Sequence, residues 1–184
     1  PIGNNLASGA RVTIIESTSA HSAHVQDAFW KVIATVEGFA AGIYPQSTLD
    51  TTAFFGTTDI LVISSGVISL TSTAVDNIEA FLASGGDVYL QGEYLPTFST
   101  NLAFQSIVNG SGGGFTVGDT VVGDLAPMVI SGLLSTTPYL TGQLNYHWYG
   151  CNGISGSGIT PFMHFGGSDF GWMYVHPGGG RLVH

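Results

Sequence analysis

The stretch Thr58 to Tyr94, TDILVISSGVISLTSTAVDNIEAFLASGGDVYLQGEY, constrains the fold more than any other part of the chain. Ile60 to Ile63 is a short apolar run, broken by Ser64-Ser65-Gly66. Thr71 or Ser72 can cap a helix whose apolar positions are Val75, Ile78, Phe81 and Leu82. Gly85-Gly86 ends that helix, and Val88-Tyr89-Leu90 opens a second buried strand. Strand, helix and strand in this order form a right-handed βαβ unit, which implies a parallel sheet.

The flanking segments extend the pattern. Pro1 to Ala10 reads as a loose lead-in and Arg11 to Glu16 as a β-branched first strand. His21 to Glu37 carries Val25, Ala28, Phe29, Val32, Ile33 and Val36 at helical spacing, the face expected to meet the sheet. Phe39 to Tyr44 is a second strand, Leu49 to Phe55 an irregular connection, and Phe98 to Val108 a helix. Asn109-Gly110-Ser111 matches a glycosylation sequon, a tripeptide frequent by chance. From Phe115 the texture turns to short β pieces: Thr116 to Val122, Met128 to Ile130, Leu144 to Trp148, Thr160 to Phe165, Trp172 to His176 and Arg181 to His184. Phe165-Gly166-Gly167-Ser168 and Pro177-Gly178-Gly179-Gly180 look like hairpin connections. The chain is expected to be one domain, residues 1–184, with a βαβ core over 1–114 and a β-rich completion over 115–184. Its start at Pro1 and its end in a strand barely begun suggest a piece processed or excised from a longer polypeptide.

Charge narrows the partners. Of 184 residues, 44% are hydrophobic and 8% charged, against roughly 25% charged in ordinary soluble domains. Lys31, Arg11 and Arg181 are the only basic residues besides histidine, and the formal charge is -9. Such a chain has no footprint for phosphate backbones, so no nucleic acid is expected as a partner. No apolar run is long enough for a transmembrane helix, so no membrane insertion is expected. A surface of small uncharged polar residues suits an extracellular or cell-surface setting. Cys151 stands alone, which excludes an intrachain disulfide and a cysteine metal framework.

The segments TDILVISSG, LTSTAVDNIEAFLASGGDVYLQGEY and GGGRLVH together resemble the class I glutamine amidotransferase-like superfamily. The resemblance implies an α/β fold: a three-layer, Rossmann- or flavodoxin-like, mostly parallel sheet with a β-rich C-terminal part. Active members place a nucleophilic Cys at the turn after the second strand of this unit, in a G-x-C-x-G setting. Here that turn is Gln91-Gly92-Glu93-Tyr94, so the matching position is Glu93. Cys151, in Tyr149-Gly150-Cys151-Asn152-Gly153, lies too far downstream to be that nucleophile. The departure fits the non-catalytic branches of the superfamily, which include domains of secreted and surface proteins and domains proposed to handle carbohydrate.

Open α/β sheets bind ligands at the carboxyl ends of their strands, and that rule selects the candidates. The first strand delivers Glu16 and Ser17, with His21 and His24 on the first helical turn. The third delivers Ser64 and Ser65, and the fourth delivers Gln91, Glu93 and Tyr94. His21 and His24, three apart on one helical face, can join Glu16 or Glu93 in a two-His-one-carboxylate metal site, or simply cap the helix. Glu93 can serve as general acid or base if desolvated, or cap the following turn. Ser65 is an anion-binding loop residue or an ordinary βα connection. Among the downstream aromatics, Trp148 and Trp172 can stack on sugar rings, fill the core or form a subunit contact.

The expectation is a non-catalytic structural, assembly or ligand-binding module of a secreted or surface protein, with carbohydrate as the leading ligand. Its ligand-binding candidates are Ser65, Glu93, Tyr94, Trp148 and Trp172. Its other partners would be further domains of a longer chain or copies of itself, and no cofactor is expected. The rival is a divergent hydrolase using Glu93 with His21, His24 or His147, with or without a metal.

Overall fold

A computed structural model describes residues 9–17, 25–92, 95–122, 128–130, 143–144, 149–165 and 167–184. Alternating apolar runs and amphipathic segments give β1 (Arg11–Ile15), α1 (Asp27–Val36), β2 (Ala40–Tyr44), β3 (Ile60–Ile63), α2 (Ser72–Ala83), β4 (Asp87–Leu90) and α3 (Ser99–Gly110). Antiparallel pieces follow: β5 (Phe115–Val122), β6 (Met128–Ile130), β7 (Gln143–Leu144), β8 (Tyr149–Ser155), β9 (Ile159–Phe165), β10 (Ser168–Val175) and β11 (Arg181–Val183). Two 3-10 turns, Gln46–Asp50 and Phe55–Thr57, fill the connection before β3. The cap of α2 is Thr71, whose hydroxyl accepts from Ala74 N–H at 3.0 Å. Among the described residues no helix is long and apolar enough to cross a membrane.

The sheet runs β2-β1-β3-β4-β11-β10-β9-β6-β7, with β5 and β8 attached through the β8–β10 pairing. Its first part, β2-β1-β3-β4-β11, is parallel throughout. That is the flavodoxin-like order 2-1-3-4-5, with the last strand of the chain in the fifth place. From β10 outward every pairing is antiparallel, so the sheet as a whole is mixed. Arg181–Val183, read from sequence as the start of a strand, is a central strand between β4 and β10.

Period-2 alternation sends side chains to two faces. Ile15, Leu61, Ile63, Val88 and Leu90 meet α2 and α3 in the main core. Val12, Ile14 and Val62 meet Ala34 in a smaller cluster under α1, with Trp30 and Tyr89 packed beside it. Helices on both faces make three layers. The two arginines act far from the carboxyl edge, at the amino ends of the strands. Arg11 clamps Asp59 through Nε and Nη2 at 3.0 and 2.9 Å, and Arg181 clamps Asp87. The Arg11 hydrogen bonds hold the Asp59 carboxyl below the ordinary aspartate range.

One expectation is corrected here, and two features the sequence left open are filled in. The face of α1 expected to be buried points outward: Phe29, Val32 and Val36 are 60%, 61% and 78% exposed. The helix packs instead through Asp27, Trp30 and Ala34, because a buried polar anchor at Asp27 sets its rotation. The strand β8 escaped sequence reading because Gly150 and Gly153 interrupt it. A Cβ on Gly153 would lie 2.5 Å from the Phe115 ring and 2.9 Å from Trp172, so the glycine is where two aromatic rings cross the strand. The sequon residue Asn109 is a structural brace. Its Oδ1 accepts from Phe115 N–H at 2.8 Å, and its Nδ2 donates to Phe115 O at 2.9 Å.

Candidate functional site

In a flavodoxin-like sheet the ligand crevice opens where the strand order reverses, between the carboxyl ends of β1 and β3. Here a polar knot ties the two strand ends to α1. Ser17 and Ser64 follow the two strands, and Asp27 sits in the first turn of α1. The Asp27 carboxylate accepts from Ser17 N–H at 3.0 Å, Ser17 Oγ at 2.7 Å and Ser64 Oγ at 3.0 Å. All three residues are buried. The helix N-terminus adds favourable potential for the anion, and three charge-assisted hydrogen bonds satisfy it. Removing the carboxylate would leave buried donors unpaired, at a cost of about 1–3 kcal/mol each. Sequence reading passed over Asp27. Its signal was an acidic residue at the start of a helix that faces two serines at strand ends.

Ser65 is also fully buried, and its Oγ accepts from Val67 N–H at 3.4 Å. It ties its own βα loop and presents nothing to a ligand, which corrects its reading as a binding residue. Glu16 is partly exposed, and its backbone oxygen accepts from Gln46 Nε2 at 3.1 Å. His21 and His24, its partners in the metal reading, lie outside the described residues, as do Glu93, Tyr94, His147 and Trp148. Among the described residues no group of three His, Cys, Asp or Glu gathers to hold a metal.

At the turn after β4, three elements converge on Gly92. A Cβ there would lie 2.5 Å from His184 Cε1 and 3.2 Å from Asn101 Oδ1, so only glycine lets the chain pass beneath them. The Asn101 Nδ2 donates to Leu95 O at 2.8 Å, which turns its Oδ1 toward His184 Nε2 at 3.1 Å. That oxygen accepts, so Nε2 carries the proton and the buried Nδ1 is a bare acceptor without a partner. The ring sits 4.6 Å from Phe104 and 5.5 Å from Trp172, centroid to centroid. Burial pulls its pKa down to about 3, so it stays neutral at ordinary pH. Sequence reading set aside this histidine, although a residue directly after a parallel strand stands on the carboxyl edge by position.

Trp172 is 1% exposed, packed 4.8 Å from Phe115 in the main core. This corrects its reading as a sugar platform: a face that water cannot reach cannot stack on a pyranose. Cys151 is buried too. Burial, and then the Asp119 charge, push its thiol up to about 11, so it carries little thiolate at neutral pH.

An open concavity of about 380 Å³ lies elsewhere, on the antiparallel extension. Asp119 of β5, Asn152, Ile154 and Ser155 of β8, and Ser168 and Asp169 of β10 line it. Asp169 is held in place by His164, with Nδ1 and Oδ1 2.6 Å apart across the β9–β10 hairpin. Gly118 lies beside it, under the Asn152 side chain, whose Oδ1 a Cβ there would displace.

Neither a family model nor a curated protein sequence matches the chain. Solved structures do. The chain is similar to the mmIFT52 N-terminal domain at 13% identity and a TM-score of 0.67, over 95% of this chain and 84% of that one. It is similar to a cytoplasmic protein of Salmonella typhimurium LT2 at 14% identity and a TM-score of 0.65, over 94% and 86%. It is also similar to a glutamine amidotransferase from Thermotoga maritima at 9% identity and a TM-score of 0.56, over 95% and 75%. Likeness at such identity carries the fold, and the fold is glutamine amidotransferase-like.

Proposed function

We propose that this chain, a glutamine amidotransferase-like fold with Glu93 at the position of the nucleophile, is a non-catalytic ligand-binding module. The observation that carries the reading is a contrast. Between the strand ends of β1 and β3 the described polar groups satisfy one another in the Asp27 knot, while an open concavity lies on the β5–β8–β10 extension. His184, beside the Gly92 turn, is held neutral and bonded to Asn101, and the lone thiol is buried and largely protonated. Neither serves as a base or nucleophile in that state. Carbohydrate is the ligand class that suits a polar concavity without basic side chains, and the weakly charged, Ser- and Gly-rich composition supports a secreted or surface setting.

The test pairs binding with turnover. The purified chain is screened against immobilised neutral glycans and, separately, incubated with glutamine and with glycosides. Retention on glycans without release of ammonia or sugar is the expected result. Turnover that disappears in Glu93→Gln would favour the hydrolase and overturn the reading.

Assembly is a second reading, favoured by the outward stripe Phe29, Val32 and Val36 on α1, which carries no charge. It predicts self-association in sedimentation velocity that is weakened by Phe29→Ser with Val36→Ser. A concentration-independent monomer counts against it.

A further inference from the structure

The lining of the β5–β8–β10 concavity carries unused hydrogen-bonding capacity. Among the described residues, the side chains of Asp119, Asn152, Ser155 and Ser168 form no hydrogen bond with the protein. Asp169 spends one oxygen on His164 and keeps Oδ2 uncommitted. Polar side chains on an ordinary surface point apart into water. These converge on a single space of about 380 Å³, at the small end of the roughly 300–1,000 Å³ of small-molecule sites.

The chemistry of that set is one-sided. Two carboxylates accept only, the hydroxyls of Ser155 and Ser168 give or accept, and the Asn152 amide does both. No lysine or arginine lines the space. Arg11 and Arg181 are committed to Asp59 and Asp87 at the far ends of the strands, and Lys31 is on α1. An anionic ligand would therefore meet two like charges with no compensating cation. A ligand rich in hydroxyl donors would match both carboxylates, since vicinal hydroxyls donate to the oxygens of one carboxylate. Exposed Ile154 on the rim offers an apolar contact for the CH face of a ring.

We propose that this concavity is a subsite for a neutral polyhydroxylated ligand, a glycan unit without acidic groups, with Asp119 and Asp169 as its principal hydrogen-bond acceptors. The proposal deepens the ligand-binding reading above and rests on it. His164 is a positioning residue in this arrangement: it fixes the Asp169 carboxylate so that one oxygen faces the ligand.

The experiment follows amide shifts in the 15N-labelled chain during titration with maltotriose, xylotriose and mannotriose, and with trigalacturonate as the acidic counterpart. The expected result is saturable shifts at Gly118, Asn152 to Ser155 and Ser168 with at least one neutral trisaccharide and none with trigalacturonate. Asp119→Asn and Asp169→Asn, whose spectra also report folding, should each weaken that binding about tenfold, the loss of one hydrogen bond to a charged acceptor. Neutral binding that both variants leave unchanged, or shifts that map elsewhere, would sink this subsite while the module reading stands. Trigalacturonate binding as tightly as the neutral sugars would overturn the charge selectivity. Folded protein that responds to no saccharide would overturn the subsite and the carbohydrate reading together.

Discussion

Trp172→Ala is expected to destabilise the fold by about 3–5 kcal/mol, the cost of removing a fully buried large aromatic side chain. The ring is 1% exposed and stands in a four-ring cluster with Phe104, Phe115 and His184. That cluster joins α3, β5, β10 and the end of β11, so its loss unties the parallel core from the antiparallel extension. Gly153 makes the effect sharper: it leaves room for Trp172 and Phe115 and has no side chain that could move into the hole. Urea unfolding measures the change directly. In a chain of this size each kcal/mol lowers the melting temperature by roughly 2–4 °C, so a fall on the order of 10 °C should accompany it. Trp172→Phe should keep most of the stability and all of the ligand binding. If Trp172→Ala cost less than about 1 kcal/mol, or if Trp172→Phe abolished glycan binding in a folded protein, the core assignment would be wrong and the stacking-platform reading would return.

The parts of the fold that were legible in the sequence are those where local and tertiary demands coincide. In β3–α2–β4 the apolar positions, the Thr71 cap and the Gly85-Gly86 stop all describe the structure that forms. In α1 they part. The more apolar stripe would have been buried by hydrophobicity alone, yet three hydrogen bonds to Asp27 outweigh it and turn Phe29, Val32 and Val36 to the outside. A hydrophobic period cannot register a polar anchor whose partners lie on two other strands. β8 was hidden for a related reason: its glycines look like turn residues until the rings crossing them are known. At the carboxyl edge, where the sequence directed attention, two serines and an aspartate satisfy one another, which no spacing reveals. The concavity on the extension draws its lining from β5, β8 and β10, separated in sequence and joined only by antiparallel pairing.

Acid should destabilise this protein through His184, in a pH window that separates it from the carboxylates. Burial lowers its folded-state pKa from 6.5 to about 3. Between those values the unfolded chain binds a proton that the folded chain refuses. Stability is therefore complete above pH 6.5 and falls as the pH drops, by about 1.4 kcal/mol per unit for a single proton. From about pH 6.5 to 4.5 the loss should reach about 2 kcal/mol. Asp59 works in the same direction but only below its ordinary range, near pH 3.8 and under, and its exposure makes the contribution small. His184→Gln isolates the effect, because a glutamine amide can still donate to Asn101 Oδ1 and does not titrate. The difference in urea stability between wild type and this variant should shrink by about 2 kcal/mol across the window. Parallel curves would mean that the His184 ring accepts its proton in the folded state and is reached by solvent. That result would reopen the Gly92 turn to acid–base chemistry. A converging pair would support a sealed, neutral ring that holds α3, β11 and the β4 turn together, at the edge where an active relative would run its reaction.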